Sequence, residues 1–153
     1  MPRHSETRHL PYTPEQLFDM VADVGRYAEF LPWVVAVRIR SSSERETIAD
    51  LVVGFSAFKE RFTSRVVKER PNRICVDYIE GPLKFLHNEW QFEPAAGGGT
   101  DVHFSVDFAF KSRLFESLAG QMFDRALRQM TSAFEKRAAE LYGINSSSAQ
   151  SAA

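Results

Sequence analysis

Residues 101–142 read DVHFSVDFAFKSRLFESLAGQMFDRALRQMTSAFEKRAAELY, and the period of their apolar positions changes once along that length. At first Val102, Phe104, Val106, Phe108 and Phe110 alternate with Asp101, His103, Ser105 and Asp107, the pattern of a strand with one face inward and one outward. From Arg113 onward Leu114, Phe115, Leu118, Met122, Phe123, Leu127, Met130, Phe134, Ala138 and Leu141 recur at helical spacing. Glu116, Asp124, Arg125, Arg128, Glu135 and Lys136 take the rest of that surface. A half-buried strand thus feeds one long apolar helix ending near Tyr142.

Upstream, the period of two holds back to Trp33. Trp33, Val35, Val37 and Ile39 are expected on one face of a strand, against Val34, Ala36, Arg38 and Arg40, with Ser41-Ser42-Ser43 as the turn. Thr47, Ala49, Leu51, Val53 and Phe55 share a face of the next strand, and Phe58, Phe62 and Val66 oppose Lys59, Arg61, Thr63 and Arg65. Ile74, Val76 and Tyr78 lie between turns at Pro71-Asn72 and Gly81-Pro82. Leu86, Trp90 and Phe92 then alternate with His87, Glu89, Gln91 and Glu93. Gly97-Gly98-Gly99 reads as a hairpin loop. Folding that hairpin about Gly97 sets Trp90 beside Phe104, His87 opposite Asp107 and Gln91 opposite His103.

Ahead of these strands, His4–Leu10 is polar enough for an edge strand. Thr13 is an N-cap with Pro14 at the first helical position, and that helix is expected to run to a stop at Gly25. A second short turn, Tyr27–Leu31, ends at Pro32. Residues 144–153 carry no apolar pattern and are expected to be a disordered tail on a domain spanning 1–143. Six successive strands joined by short turns cannot be parallel, because parallel pairs need long crossovers. The expectation is an α+β fold: a curved antiparallel β-sheet wrapped around a long C-terminal α-helix, with room for a cavity between them.

The 153 residues fit one domain, and a formal net charge of -1 supplies no field for nucleic acid, so DNA is not an expected partner. The single cysteine, Cys75, rules out an internal disulfide and fits a reducing compartment. No apolar run approaches the roughly 20 residues that span a bilayer. The N-terminus has neither a secretory core nor room for an organellar presequence. A bacterial cytoplasmic protein is the expectation.

Candidate chemistry is sparse. His87, Glu89 and His103 should face outward on adjacent strands, but the register sets no tetrahedral cluster, and cross-strand polar pairing explains them; no metal is expected. Asp50 and Glu60 fall near the inward period and are expected to pair with arginines or to be turned outward by a bulge. Asn88, between Leu86 and Trp90, could donate to a ligand carbonyl. Gly97-Gly98-Gly99 joins two strands and opens no helix, so it is no phosphate loop. Cys75 lies opposite the Ile74/Val76 face without an evident base, and reads as inert. No catalytic residue and no cofactor are assigned. The helical stripe reads as core by its spacing, while its methionines also suit closure on a variable apolar molecule.

Val21-Ala22-Asp23-Val24 with Tyr27, followed by Phe30-Leu31-Pro32-Trp33, resembles the opening of the coenzyme Q-binding family of the START-like (helix-grip, polyketide cyclase-like) superfamily. Glu80-Gly81-Pro82-Leu83-Lys84 resembles its mid-chain turn, and Ala133-Phe134-Glu135-Lys136-Arg137-Ala138, closing at Tyr142-Gly143, its terminal helix. Many relatives carry a cysteine after Leu-Pro-Trp where this chain has Val34.

The resemblance implies a sheet gripping the C-terminal helix around an apolar tunnel, and non-enzymatic binding of ubiquinone or a related isoprenoid lipid in support of respiratory electron transport. The alternative it implies is a toxin-like regulator that binds the large ribosomal subunit and inhibits subunit association. A third and weaker one is a polyketide cyclase-type enzyme. The expected partners are a hydrophobic small molecule, a transient membrane surface, peripheral at the inner membrane, and, for the second reading, the ribosome through the row Lys59, Arg61 and Arg65. The expected lining is Phe30, Trp33, Val35, Phe62, Tyr78, Pro82, Leu83, Asn88, Trp90, Phe104, Phe108, Leu118, Met122 and Met130. Entry is expected between the Tyr27–Trp33 segment and the Gly81–Lys84 turn. A pocket of about 300–1,000 Å³ would take a quinone head and part of its tail.

Overall fold

The alternation on either side of Gly97 forms two long strands, β6 (Leu83–Pro94) and β7 (Thr100–Phe110). Their register pairs Trp90 with Phe104, His87 with Asp107 and Gln91 with His103, as folding about Gly97 requires. The loop depends on backbone that only glycine adopts cheaply. Gly99 has φ +75°, and a Cβ there would stand 2.5 Å from the Leu10 carbonyl oxygen.

A computed structural model describes residues 3–55 and 58–143, and the side chains there except at positions 55, 58, 115–116 and 118–124. The expected tail, and the side chains of Phe115, Leu118, Met122 and Phe123, lie outside the described residues. The remaining strands are β1 (Arg3–Leu10), β2 (Val34–Ser42), β3 (Glu46–Phe55), β4 (Phe58–Glu69) and β5 (Arg73–Glu80). All pair antiparallel in one seven-stranded sheet ordered β1-β7-β6-β5-β4-β3-β2. β1 is an edge, as its charge suggested.

The first helix, α1 (Pro14–Ala22), starts on a full capping box. Thr13 Oγ1 accepts from the Gln16 amide at 3.1 Å, and the Thr13 amide donates to Gln16 Oε1 at 3.0 Å. Its buried side chains Leu17, Phe18, Met20 and Val21 join the core under one end of the sheet. The helix ends earlier than Gly25. Asp23 leaves helical backbone at ψ 66°, and Val24–Glu29 tightens into a 3₁₀ helix that replaces the expected Tyr27–Leu31 turn. The Tyr27 hydroxyl donates to the Val21 carbonyl, one of the acceptors left open at the end of α1, so the early stop is satisfied from the segment that follows.

β2 also departs from strict alternation. Bulges fall between Val34 and Ala36 and between Ile39 and Ser41. The first turns Val34 into the core at 9% exposure and leaves Val35 at 55%, so the expected Trp33/Val35/Val37/Ile39 face is broken at Val35, while Ile39, opposite Ala49, keeps the side of Val37 at 41% exposure.

The long helix, α2 (Arg113–Tyr142), lays Leu127, Thr131, Phe134 and Ala138 into the sheet at helical spacing. Its end is tied down by the Tyr142 hydroxyl, which donates to the Gln16 carbonyl at 2.7 Å. No helix among the described residues is long and apolar enough to cross a membrane.

Gly99→Ala should destabilise the fold by at least about 1–2 kcal/mol, from the left-handed backbone alone and before the clash with Leu10 is counted. Urea unfolding checks this. A variant as stable as the parent would contradict the hairpin geometry.

Candidate ligand cavity

The concave face of the sheet divides into a closed end and an open end. At the closed end Ile74, Trp90, Phe92, Val102 and Phe104 are buried beneath α1 and the second half of α2. The Trp90 indole meets Phe104 at 4.7 Å and Phe134 of α2 at 5.1 Å between ring centroids, both steeply tilted. Phe30 closes over Phe134 at 5.2 Å, with the Arg137 guanidinium 4.9 Å from the Phe30 ring centre. Tyr27 packs edge-on against both phenylalanines, and its burial pushes the phenol above its ordinary pKa.

At the open end lie the β3–β4 hairpin, the Gly81-Pro82 turn and the start of α2. The inward apolar row there is Val37, Leu51, Val53, Phe62, Leu86, Val106, Phe108 and Phe110, and every member stays half-buried. Leu114, in the first turn of α2, is 67% exposed. Val37, Leu51 and Val106 pack against the core cluster, and the whole row lines the concave face on the side of the first half of α2, whose side chains at 115–116 and 118–124 lie outside the described residues.

Polar contacts fix the elements around this row. The Tyr78 hydroxyl accepts from the Leu83 amide at 2.9 Å and so fastens the Gly81-Pro82 turn. Gly81 is required there: at φ +144° a Cβ would come within 2.9 Å of the Arg61 carbonyl oxygen. On the far side, β1 is joined to α2 by Arg8, which donates to Glu135 at 2.7 Å and to Thr131 Oγ1 at 3.4 Å. Trp33 is half-buried and donates from Nε1 to Gln129 at 3.1 Å, bracing the segment before β2 against α2.

The expected lining residues separate accordingly. Phe62, Tyr78, Asn88 and Phe108 are half-buried on the inward face of the sheet, and Pro82 is half-buried in the turn between β5 and β6. Leu83 is buried at 2% exposure opposite Phe110, and Trp90, Phe104 and Phe30 belong to the packed aromatic junction. Met130 packs against the core, and Val35 points away at 55% exposure because of the β2 bulge. The side chains of Leu118 and Met122 are outside the described residues.

Three polar expectations change or sharpen. Asn88 uses both ends of its amide within the fold: Nδ2 donates to the Ser105 carbonyl at 2.8 Å and Oδ1 accepts from Trp90 Nε1 at 3.0 Å. Its role is to orient the indole rather than to meet a ligand carbonyl. Asp50 is buried on the outer side, accepting from Thr63 at 2.6 Å and from Arg40 at 2.9 Å, as the expected arginine pairing required. The Thr63 hydroxyl, then Arg40, hold its carboxyl below the usual Asp value against the cost of burial. Glu60, half-buried across from Val53 on the inner face, has no hydrogen bond or ion pair among the described residues, contrary to the expected arginine partner.

The convex face carries two polar clusters. His103 accepts from Thr7 at Nδ1 and reaches Glu93 from Nε2, both at 2.9 Å. His87 donates from Nδ1 to Asp77 at 2.7 Å and stands near Glu89 and Cys75, whose donor atoms all fall within 4.8 Å of one another. Cys75 was the member that sequence reasoning missed. Its outward position was legible, but its place across from Glu89 was not.

A family of polyketide cyclases/dehydrases and lipid transport proteins matches residues 10–135, from the end of β1 into the last half of α2. The chain belongs to that family. Its relatives include the "Ribosome association toxin RatA" of Rickettsia prowazekii, 38% identical over 139 residues that span 88% of this chain and 94% of the other. They also include the "Coenzyme Q-binding protein COQ10 homolog B, mitochondrial" of Xenopus laevis, 36% identical over 92% of this chain and 59% of its own length. A START superfamily protein from Mycobacterium smegmatis superposes with a TM-score of 0.75 over 91% of this chain and 98% of that one, at 18% identity. The fold is therefore the START-like helix grip of the family.

Glu89 is held by hydrogen bonds from Arg73 and Gln91 that lower its pKa from 4.5 to about 2. A carboxyl depressed on folding contributes stability above its unfolded pKa and loses it as pH falls through the folded value. Urea midpoints should therefore drop between about pH 4.5 and 2, and Glu89→Gln should make that acid limb shallower. An unchanged limb in the variant would contradict the assignment.

Proposed function

We propose that this chain binds an apolar ligand, ubiquinone or a related isoprenoid lipid, in a trough between sheet and α2, and carries it without chemical change in support of respiratory electron transport. The observation that carries this reading is the half-buried inward row at the open end. Apolar side chains kept partly out of contact cost stability, and a family member that retains such a row has a use for it. The packed junction at Trp90 and Phe134 gives the trough a rigid floor, and the Gly81-Pro82 turn gives it a rim. A relative named as a coenzyme Q-binding protein supports the choice of quinone. The site of action is the cytoplasm of a bacterial cell, with transient contact at the inner membrane surface where the ligand is exchanged.

Mass spectrometry of an organic extract of the purified protein should show a co-purified quinone. Val53→Trp, which fills the trough, should lose the quinone at a stability cost below about 1 kcal/mol, whereas a close-packed core would lose about 1–3 kcal/mol. A destabilised variant, or one that retains the quinone, counts against a ligand at this position.

A second reading rests on the outer faces of β2 to β4. Arg38, Arg40, Lys59, Arg61 and Arg65 are exposed there, and Lys59 and Arg61 make no hydrogen bond or ion pair among the described residues. Arg40 is engaged by Asp50 and Arg65 by Glu46. This patch, together with relatives named as ribosome association toxins, fits contact with ribosomal RNA. Replacing Lys59, Arg61 and Arg65 together with Gln should leave cofractionation with ribosomes unchanged under the carrier reading. Loss of cofractionation by the folded triple variant would favour the ribosomal one.

A further inference from the structure

On the convex face, the β5–β6 ladder brings three donor atoms of different chemistry to one point. Cys75 pairs with Glu89 and Asp77 with His87, so all four side chains leave the same side of the sheet in adjacent positions. The Cys75, His87 and Glu89 donors lie within 4.8 Å of one another, and His87 Nε2 stands 3.5 Å from Glu89 Oε1. Tetrahedral zinc, with bonds of about 2.0–2.3 Å, holds its ligand atoms about 3.4–3.8 Å apart. The donors therefore need only a small contraction.

Both flexible ligands are already aimed by a neighbour. His87 Nδ1–H donates to Asp77 at 2.7 Å, which leaves Nε2 as the coordinating nitrogen. Glu89 Oε2 accepts from Arg73 and from Gln91, each at 2.8 Å, and leaves Oε1 on the His87 side. Cys75 is buried at the base, while the His87 and Glu89 side chains stand 47% and 20% exposed above it. A surface ion-pair network accounts for Asp77–His87 and for Arg73–Glu89, but it gives no reason for a thiol at the same point. Glu89 and Asp77 set against Arg73 leave the group net negative before the thiol is ionised.

We propose that Cys75 Sγ, His87 Nε2 and Glu89 Oε1 form a three-donor site for a divalent transition metal, with the fourth position open to solvent. The mixture of thiolate, imidazole and carboxylate selects Zn²⁺ over the oxygen-seeking Mg²⁺ and Ca²⁺. Metal binding displaces the thiol proton. The site lies on the face opposite the trough and is independent of what the trough holds.

The full chain, stripped with a chelator, is titrated with Co²⁺ and then with Zn²⁺. One equivalent of Co²⁺ should bind with a thiolate-to-cobalt charge-transfer band in the near ultraviolet, and Zn²⁺ should abolish the band. Cys75→Ser should lack it. His87→Gln and Glu89→Gln, altered at more accessible positions, should weaken Co²⁺ binding at least tenfold, and Asp77→Asn by about 10–100-fold. His103→Gln should bind as the parent does. Absence of the band in the parent, or parent-like binding by both His87→Gln and Glu89→Gln, overturns the proposal even if Cys75→Ser fails to fold.

Discussion

Trp90 touches β7 through Phe104 and α2 through Phe134, at 4.7 Å and 5.1 Å, while its indole N–H is held by Asn88 from its own strand. That junction couples two otherwise separate problems. The β6–β7 register must be right for Phe104 to lie beside the indole, and the helix must be at the right depth and rotation for Phe134 to reach it. Aromatic pairs of this kind contribute about 0.5–1.5 kcal/mol each beyond the area they bury. Phe30, Tyr27 and Arg137 then assemble on the outer side of Phe134, so the segment before β2 takes its position from the same contact.

The described side chains of α2 that reach the core, Leu127, Thr131, Phe134 and Ala138, all lie in its second half, while the inward residues Val53, Phe62, Leu86, Phe108 and Phe110 of the sheet are half-buried. The polar ties from Arg8 to Glu135 and from Trp33 to Gln129 brace the middle and far part of α2.

The convex face is divided by charge. Its β2–β4 side is basic, whereas its β5–β6 side gathers Asp77, Glu89, His87 and Cys75 around one point, with Arg73 as the balancing cation. Cross-strand neighbours share a face, so each cluster is set by pairing register more than by proximity in the chain.

Period-two and helical spacing were enough, read from the sequence alone, to determine the strands, the long C-terminal helix, the antiparallel order, the Thr13 cap and the Trp90–Phe104 pairing about Gly97. These depend on local alternation and turn chemistry, which the residues carry themselves. Only the tertiary structure decided the rest. A plain two-residue turn at Gly81-Pro82 would set Cys75 across from Asn88; the observed ladder is one residue further on, and Cys75 meets Glu89. The β2 bulges that expose Val35, the stop of α1 at Ala22 under the Tyr27 hydroxyl, and the commitment of Asn88 to Trp90 have the same origin. Alternation tells which face a side chain takes, but an inserted residue or a long-range hydrogen bond is chosen by the partners it meets after folding, and those partners are far away in the chain.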